Sequence, residues 1–174
     1  YAIELEHKDE EKLVNRIHDN DVRIDVSKYD PDVEPGNEIL NSRPVVVGLG
    51  PAGLFSALML AQKGYKPLVI ERGEDVDKRT ETVDKFWKTG ELNLESNVQF
   101  GEGGAGTFSD GKLTTNIKNP FAKHVLHWFV DAGAPESILI DAHPHLGSDN
   151  LPSIVSAMRN EVIERGGEVR FGTR

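Results

Sequence analysis

One short stretch of the sequence has the residue types and spacing of a dinucleotide-binding turn. The segment "VVVGLGPAG" places Gly48, Gly50 and Gly53 in a G-x-G-x-x-G pattern. Gly48 permits a tight turn, Gly50 leaves bare backbone for a pyrophosphate, and Gly53 lets a helix pack closely on the strand. A helix that starts at Pro51 would direct the N–H groups of Ala52 and Gly53 at the anion. The pattern therefore predicts that a dinucleotide binds where this strand meets this helix.

The elements around the turn have the order of a βαβ unit. The apolar, β-branched segment 44–48 predicts a strand that is buried on both faces of a parallel sheet. Residues 51–63 predict a helix with proline in its first turn and a glycine after its end, and "KPLVIE" at 66–71 predicts a second buried strand. That strand ends at Glu71, 18 residues after Gly53, where a carboxylate can accept both hydroxyls of an adenosine ribose. A negative charge at this position also disfavours the 2′-phosphate of NADP.

A second glycine-rich segment, "FGEGGAGTFSDGKLTT" at residues 100–115, does not complete a nucleotide motif of its own. From Gly106 it resembles a P-loop, but Leu113 stands where Ser or Thr should hold magnesium, and no helical pattern follows. Two interpretations remain. The segment is either an unliganded surface loop, or bare backbone that lies against a ligand held by the first motif, with the hydroxyls of Thr107 and Ser109 as further donors. We favour the second.

The rest of the chain predicts further α/β elements after a different N-terminal part. Residues 1–29 have the pattern strand, helix, strand and predict a small α+β module. Residues 30–43 contain two prolines and a glycine and predict a linker, which leaves 44–174 as the main α/β domain. Helices are predicted at 74–89, 120–132 and about 151–165, and a third strand at 168–171.

Composition and charge restrict the partners. The formal net charge is −9, of which residues 1–40 contribute −7, and no cluster of Lys and Arg could follow a phosphate backbone. We therefore expect no nucleic-acid partner. The absence of cysteine excludes disulfides, thiolate nucleophiles and iron–sulfur clusters, and it favours a cytoplasmic location. The most apolar stretches, 44–61 and 125–130, are interrupted or too short to span a bilayer.

The candidates for metal binding and acid–base chemistry are weak. His124 and His127 lie three residues apart, but this spacing without a carboxylate motif is a poor ligand signature, so no metal site is expected. His145 lies in a turn rich in glycine and proline and is a weak candidate for a base near the substrate. Asp110 and Lys112 follow the glycine-rich residues 103–106 and could face a substrate, but a solvated turn is the favoured interpretation. No catalytic residue is assigned, and the lack of a G-x-S-x-G elbow disfavours a serine hydrolase.

Three long segments, together with Arg79, resemble a known family. The segments are "VVVGLGPAGLFSALMLAQKGYKPLVIERG", "FWKTGELNLESNVQFGEGGAGTFSDGKLTT" and "AHPHLGSDNLPSIVSAMRNEVIERGGEVRF". They resemble an uncharacterised bacterial family of FAD-dependent dehydrogenases, within the flavoproteins that have two dinucleotide-binding domains. The resemblance covers about residues 44–174 and includes the second glycine segment almost letter for letter.

The resemblance implies a fold, a cofactor and a set of binding residues. The fold would be α/β, an incomplete Rossmann-like parallel sheet of the FAD-binding type, preceded by a small α+β remnant. The activity would be that of an FAD-dependent oxidoreductase that moves a hydride between a small-molecule substrate and flavin N5, with NAD(P)H a candidate electron donor. The implied contacts with the pyrophosphate, the ribose, the phosphates and the flavin end are made by Gly48, Gly50, Pro51, Ala52, Gly53, Glu71, Arg72, Gly73, Arg79, Gly103, Gly104, Ala105, Gly106, Thr107 and Ser109.

In that family the FAD domain continues beyond "EVRFGT" with further strands and a Gly-Asp segment that binds the flavin end. We therefore expect this chain to be a fragment that binds FAD poorly alone and leaves strand 44–48 as an exposed apolar edge. Two other interpretations stay open. The chain is an NAD-binding dehydrogenase domain, or it is a non-catalytic dinucleotide-binding or scaffold module.

Overall fold

Three short parallel strands form the sheet of the protein. The computed structural model describes residues 3, 5–24, 33–117, 119–141, 143–147 and 149–174. In these residues the strands lie side by side in the order β1, β2, β3, with Val46 opposite Val69 and Val69 opposite Val169. The strands are β1 (Val45–Val47), β2 (Leu68–Ile70) and β3 (Glu168–Arg170).

Five α-helices in the described residues accompany the sheet, and their ends follow local signals. The side chain of Asp75 accepts the N–H of Lys78 at the start of the third helix, which ends at Gly90 with a φ of 75°. The side chain of Asn119 accepts the N–H of Phe121 at the start of the fourth. These capping residues are the types expected at such positions. The helices are α1 (Glu10–Ile17), α2 (Pro51–Gln62), α3 (Val76–Thr89), α4 (Pro120–Asp131) and α5 (Leu151–Glu164). The last four begin and end within two residues of the predicted bounds.

The core lies between α2, α5 and one face of the sheet. Val69 at the centre of β2 is fully buried, and Val46 and Val169 of the neighbouring strands pack against the same cluster. The helices contribute apolar side chains that are almost completely buried, namely Leu54, Ala57, Leu58, Ala61, Ile154, Val155, Met158 and Val162. The predicted mixed α/β class with a parallel sheet is confirmed.

The prediction that the first strand is buried on both faces is wrong. Val45 and Val47 of β1 are 57% and 79% exposed. Side chains alternate between the faces of a strand, and the helical core covers only the face that carries Val46. Within the described residues β1 pairs with β2 alone, so its other edge is exposed, as the sequence predicted.

The N-terminal part contributes little to the core. Helix α1 forms where the sequence predicts a helix, but it buries no residue, and Leu13 and Ile17 remain 39% and 44% exposed. Residues 22–24, predicted to begin a strand, are not in one, and residues 1, 2, 4 and 25–32 lie outside the described residues. The described part of the predicted linker, 33–43, has neither helix nor strand. Across the described ranges, no helix combines the length and the apolar character needed to cross a membrane.

Candidate functional site

The glycine turn, residues 48–53, joins β1 to α2, and two of its three glycines are required by the fold itself. Gly48 has a φ of +87°, a conformation that other residues rarely adopt. A Cβ atom on Gly53 would lie 1.9 Å from the carbonyl oxygen of Gly48, so only glycine allows the helix to pack this closely. A Cβ atom on Gly50 would meet nothing within 4 Å. Gly50 therefore borders open space, and none of the described residues obstructs the approach of a ligand to its backbone.

Backbone donors face this open space from the first turn of α2. The N–H of Leu54 bonds to the carbonyl of Gly50 at 2.9 Å, which is the first hydrogen bond of the helix. For the N–H groups of Ala52 and Gly53, the described residues supply no acceptor. Donors of a first helical turn have no partner within the helix and carry the positive end of its dipole. The turn can therefore bind an anion.

Glu71 lies directly below the glycine turn and holds it in place. Its side chain is buried, with Oε2 accepting the N–H of Leu49 at 2.5 Å and Oε1 accepting the N–H of Gly73 at 2.7 Å. These bonds connect the end of β1 to the segment after β2. A carboxylate has about four lone-pair directions, so two remain after these bonds. The ribose contact of Glu71 stays a prediction.

The glycine-rich loop, residues 101–109, packs against the glycine turn. The N–H of Gly103 donates to the carbonyl of Leu49 at 2.8 Å. A Cβ atom on Gly104 would lie 2.8 Å from Cδ of Pro51, the first residue of α2. Gly103 and Gly104 have φ values of +80° and +66°, and both are buried. Bare backbone of the loop therefore lies beside the start of α2, although some 50 residues separate the two segments in the chain.

Arg79 supports this loop from below rather than facing the open space. The resemblance implied that it approaches phosphates, but its side chain is fully buried. Its guanidinium donates to four backbone carbonyls, and its Cζ lies 4.8 Å from the ring centroid of Phe108. Burial lowers its pKa to about 10, and the charges of Glu71 and Glu102 oppose that shift. Arg79 therefore remains charged at neutral pH and orders the loop. The four carbonyls belong to Asn97, Val98, Glu102 and Gly104.

Several other predicted contact residues are occupied by bonds within the protein. The Thr107 side chain is buried, and its Oγ1 lies 3.5 Å from the carbonyl oxygen of Glu102. The hydroxyl of Ser109 donates to the carbonyl of Gly106 at 2.7 Å. Arg72 is ion-paired with Glu95 at 2.9 Å and lies near the surface. The hydroxyls of Thr107 and Ser109 therefore shape the loop, which differs from the expected donation to a ligand.

The remaining members of the predicted set differ in position, and of them Gly106 lines the space between loop and helix. Ala105 and Gly106 are exposed, and a Cβ on Gly106 would meet nothing within 4 Å. Gly73 is buried, and a Cβ there would lie 2.5 Å from Cα of Gly101. A cleft of about 140 Å³ runs between the start of α2, the loop and Leu113. Ligand pockets usually measure about 300–1,000 Å³, so the described residues enclose only part of such a site.

A larger apolar cavity adjoins this cleft. Its volume is about 720 Å³, and it lies between residues 112–117 and α4. Lys112, Leu113 and Phe129 line both spaces. The two spaces therefore share one wall.

Asp110, Lys112 and His145 lie close together beside the cleft. Lys112 forms an isolated antiparallel bridge with His145, and its Nζ lies 2.9 Å from the carboxylate of Asp110. Their hydrogen bond lowers the pKa of Asp110 and raises that of Lys112. With Thr114 and His143 they line a further cavity of about 470 Å³. All three side chains are exposed, so the cluster is accessible to a small molecule.

The histidines of α4 do not form a metal site. The ring of His124 packs edge-on against Trp128 with centroids 4.3 Å apart. In the part of the chain that the structure describes, no three acidic or histidine side chains lie close enough together to hold a metal ion.

Glu102 is the residue that the sequence analysis missed. It lies between two glycines of the loop and is fully buried. Its Oε2 accepts the N–H of Val76 at 2.7 Å and a guanidinium N–H of Arg159 at 3.0 Å. Burial raises its pKa from 4.5 to about 7. The sequence contained one signal for this burial. Glu102 is a charged residue with glycine on both sides, and glycine has no side chain that would hold the segment at the surface.

Comparison with known proteins adds a relative but no activity. No family model matches the chain. A protein of Clostridium beijerinckii is 53% identical over all 174 residues, and it is described as an uncharacterized protein. The chain spans about a third of that relative, 33% of its length. The similarity therefore covers this whole segment and leaves the function to be argued from the site.

Proposed function

We propose that this chain is the dinucleotide-binding part of an FAD-dependent oxidoreductase with a Rossmann-like fold. The observation that carries the proposal is the contact between the two glycine segments at the first turn of α2. Gly103 is hydrogen-bonded to Leu49, and Gly104 lies against Pro51. The glycine turn alone is sufficient for a pyrophosphate. A second side-chain-poor segment beside it favours a cofactor that extends past the pyrophosphate, as FAD does.

The residues present fit such a cofactor at the pyrophosphate. Gly50 offers open space where a side chain would obstruct an anion, and the N–H groups of Ala52 and Gly53 supply the donors. Glu71 lies at the end of β2, with lone pairs left for a ribose. The sequence as a whole contains no cysteine, which supports a cytoplasmic location.

When bound, FAD supplies the hydride chemistry, while the protein binds and orients it. The chain's own residues act before that step. Glu71 and Arg79 fix the turn and the loop, so that the backbone donors are already arranged when the cofactor arrives, and such prior order reduces the entropy cost of binding. The polar cluster of Asp110, Lys112 and His145 lies beside the same cleft, on the side where a substrate would approach.

The test begins with the visible spectrum of the full-length protein. We expect a flavin spectrum, and release of FAD on denaturation. A protein that instead releases NAD, or no nucleotide, would refute the proposal. Addition of NADH or NADPH under anaerobic conditions then shows which donor bleaches the flavin.

A pair of glycine variants tests the site itself. Gly50→Val should lower FAD affinity roughly tenfold or more, which corresponds to about 1.4 kcal/mol, because the side chain would occupy the space of the pyrophosphate. The backbone of Gly50 has φ −69° and ψ −177°, which valine adopts readily, so the far-UV circular dichroism should not change. Gly36→Val is the control, since a Cβ there also meets nothing within 4 Å. Equal FAD affinities in the two variants would place the cofactor elsewhere.

A further inference from the structure

Glu102 connects the glycine-rich loop to two helices. Its N–H donates to the carbonyl of Glu74 at 3.1 Å. Its carboxylate accepts the first N–H of α3, from Val76, and an N–H of Arg159 in α5. The side chain of Glu102 is fully buried and that of Arg159 is 13% exposed. One side chain therefore holds the loop against both α3 and α5.

The hydrogen bonding of this carboxylate is incomplete. Within the described residues, Oε1 is buried without a hydrogen-bond partner, and a buried acceptor in this state costs about 1–3 kcal/mol. The charged groups around it act in opposite directions. Arg159 stabilises the charged form, and Asp75 and Asp77 at the start of α3 destabilise it. Arg79 binds the backbone carbonyl of the same residue.

Burial is the largest effect on Glu102, and its pKa is raised to about 7. Both the charged and the neutral form are therefore populated near neutral pH. A Glu102 that moves into solvent with an opened loop would return to its ordinary pKa, 4.5. By linkage, the state that binds the proton more tightly is favoured as the pH falls.

We propose that Glu102 is a proton-dependent positioning residue, whose buried side chain ties the glycine-rich loop to α3 and α5 and keeps it closed on the glycine turn most firmly when protonated. The consequence for cofactor binding rests on the proposed function, in which the closed loop lies against a bound dinucleotide. As the pH rises through about 7, loop opening becomes more favourable. The largest possible change in the opening equilibrium equals the ratio of the proton affinities of Glu102 in the closed and open loop, roughly 300-fold.

Hydrogen exchange in the full-length protein measures loop closure without any ligand. The amide of Gly103 donates to Leu49 of the glycine turn in the closed loop, so its protection reports closure. After correction for the intrinsic pH dependence of exchange, protection in wild-type protein should fall between about pH 4.5 and about pH 7 and stay level above that range. In Glu102→Gln, which is always neutral, it should stay at one level. The control is Glu95→Gln, which removes a half-exposed carboxylate of the preceding segment and should keep the wild-type profile.

The outcomes are distinct. A flat wild-type profile, or a Glu102→Gln profile that still changes with pH, overturns the proposal. If Glu102→Gln does not fold, as loss of protection throughout α5 would show, the wild-type profile decides alone. FAD affinity measured over the same pH range should fall in parallel in the wild type and stay constant in Glu102→Gln. Absence of FAD binding at every pH refutes the proposed function, while the exchange profile still decides the role of Glu102.

Discussion

Replacement of Arg79 by methionine is expected to loosen the glycine-rich loop by about 3 kcal/mol. The guanidinium donates to carbonyls of Asn97, Val98, Glu102 and Gly104. The first two residues are partly exposed, so water can replace the lost donor. The last two are buried, and each orphaned carbonyl costs about 1–3 kcal/mol.

Two further contributions set the final figure. The contact of the guanidinium with the ring of Phe108 adds about 1 kcal/mol. The second contribution has the opposite sign. Burial lowers the pKa of Arg79 to about 10, because the charged side chain is desolvated, and a methionine at this position has no such desolvation cost. Because the desolvation cost partly offsets the lost bonds, we expect a net cost near the lower end of the range, about 3 kcal/mol. This corresponds to a roughly 150-fold increase in the equilibrium constant for loop opening.

Hydrogen exchange of the peptide that contains residues 97–108 gives this local opening free energy directly. Arg72→Met is a matched control, because the Arg72 guanidinium also lies over a phenylalanine ring, that of Phe100, at 4.6 Å. Arg72 is exposed, however, and its partners are the carboxylate of Glu95 and the carbonyl of Leu94. We expect the control to cost less than about 1 kcal/mol. An Arg79→Met protein within about 0.5 kcal/mol of wild type, a typical surface value, would refute the supporting role of Arg79.

Three further predictions follow from single contacts. Gly53→Ala should lower the free energy of unfolding by about 3 kcal/mol, the upper end for overpacking, because the new Cβ would lie 1.9 Å from the oxygen of Gly48. The control Gly106→Ala, whose Cβ meets nothing within 4 Å, should unfold at the same urea concentration as wild type. The stabilising contribution of protonated Glu102 is complete below pH 4.5 and is lost as the pH rises through its raised pKa of about 7. The loss is up to about 3 kcal/mol, so urea unfolding of wild type and Glu102→Gln should diverge over that range and run parallel outside it. Val47→Lys should reduce self-association of the 174-residue chain in sedimentation, because Val47 is 79% exposed on the face of β1 that the helical core leaves uncovered, and an unchanged sedimentation profile would count against an adhesive apolar face.

Helix positions were predictable because their signals are local. Proline at position 51, Asn119 before α4 and Gly90 after α3 each act on the backbone within one turn. The structural roles of Gly48 and Gly53 were predictable for the same reason, since a positive φ at Gly48 and the close packing of Gly53 belong to the motif itself, and the approach of a pyrophosphate to Gly50 stays a prediction.

Burial of the sheet was less predictable than the strands themselves. The run of valines at 45–47 is typical of a strand covered on both faces, but the pattern only shows that the side chains are apolar. Whether both faces are covered depends on which elements pack there, and the described helical core meets only the side of Val46. The sequence therefore identified the strand but not its surroundings.

The interior contacts of the site were not predictable from spacing. Arg79 reaches carbonyls 18 to 25 residues away, and Glu102 reaches Val76 and Arg159 over 26 and 57 residues. Sequence patterns give periodicity along one element, not the direction of a charged side chain between elements. The resemblance implied that Arg79 approaches phosphates, and no role was predicted for Glu102, whereas the fold buries both charges below the loop.

The burial of these charges bears on why the loop is rich in glycine. Glycine loses more conformational freedom on folding than any other residue, and Gly101, Gly103 and Gly104 all have positive φ values, so the loop cannot hold its shape by its own packing. A buried arginine and a buried glutamate, each with a desolvation cost, provide the order that its missing side chains do not. An unliganded surface loop would gain nothing from two such costly supports, since polar side chains and water would serve it equally well. An ordered, bare backbone beside the first turn of α2 is what the proposed cofactor would need, so the burial of Arg79 and Glu102 supports that proposal over a solvated loop.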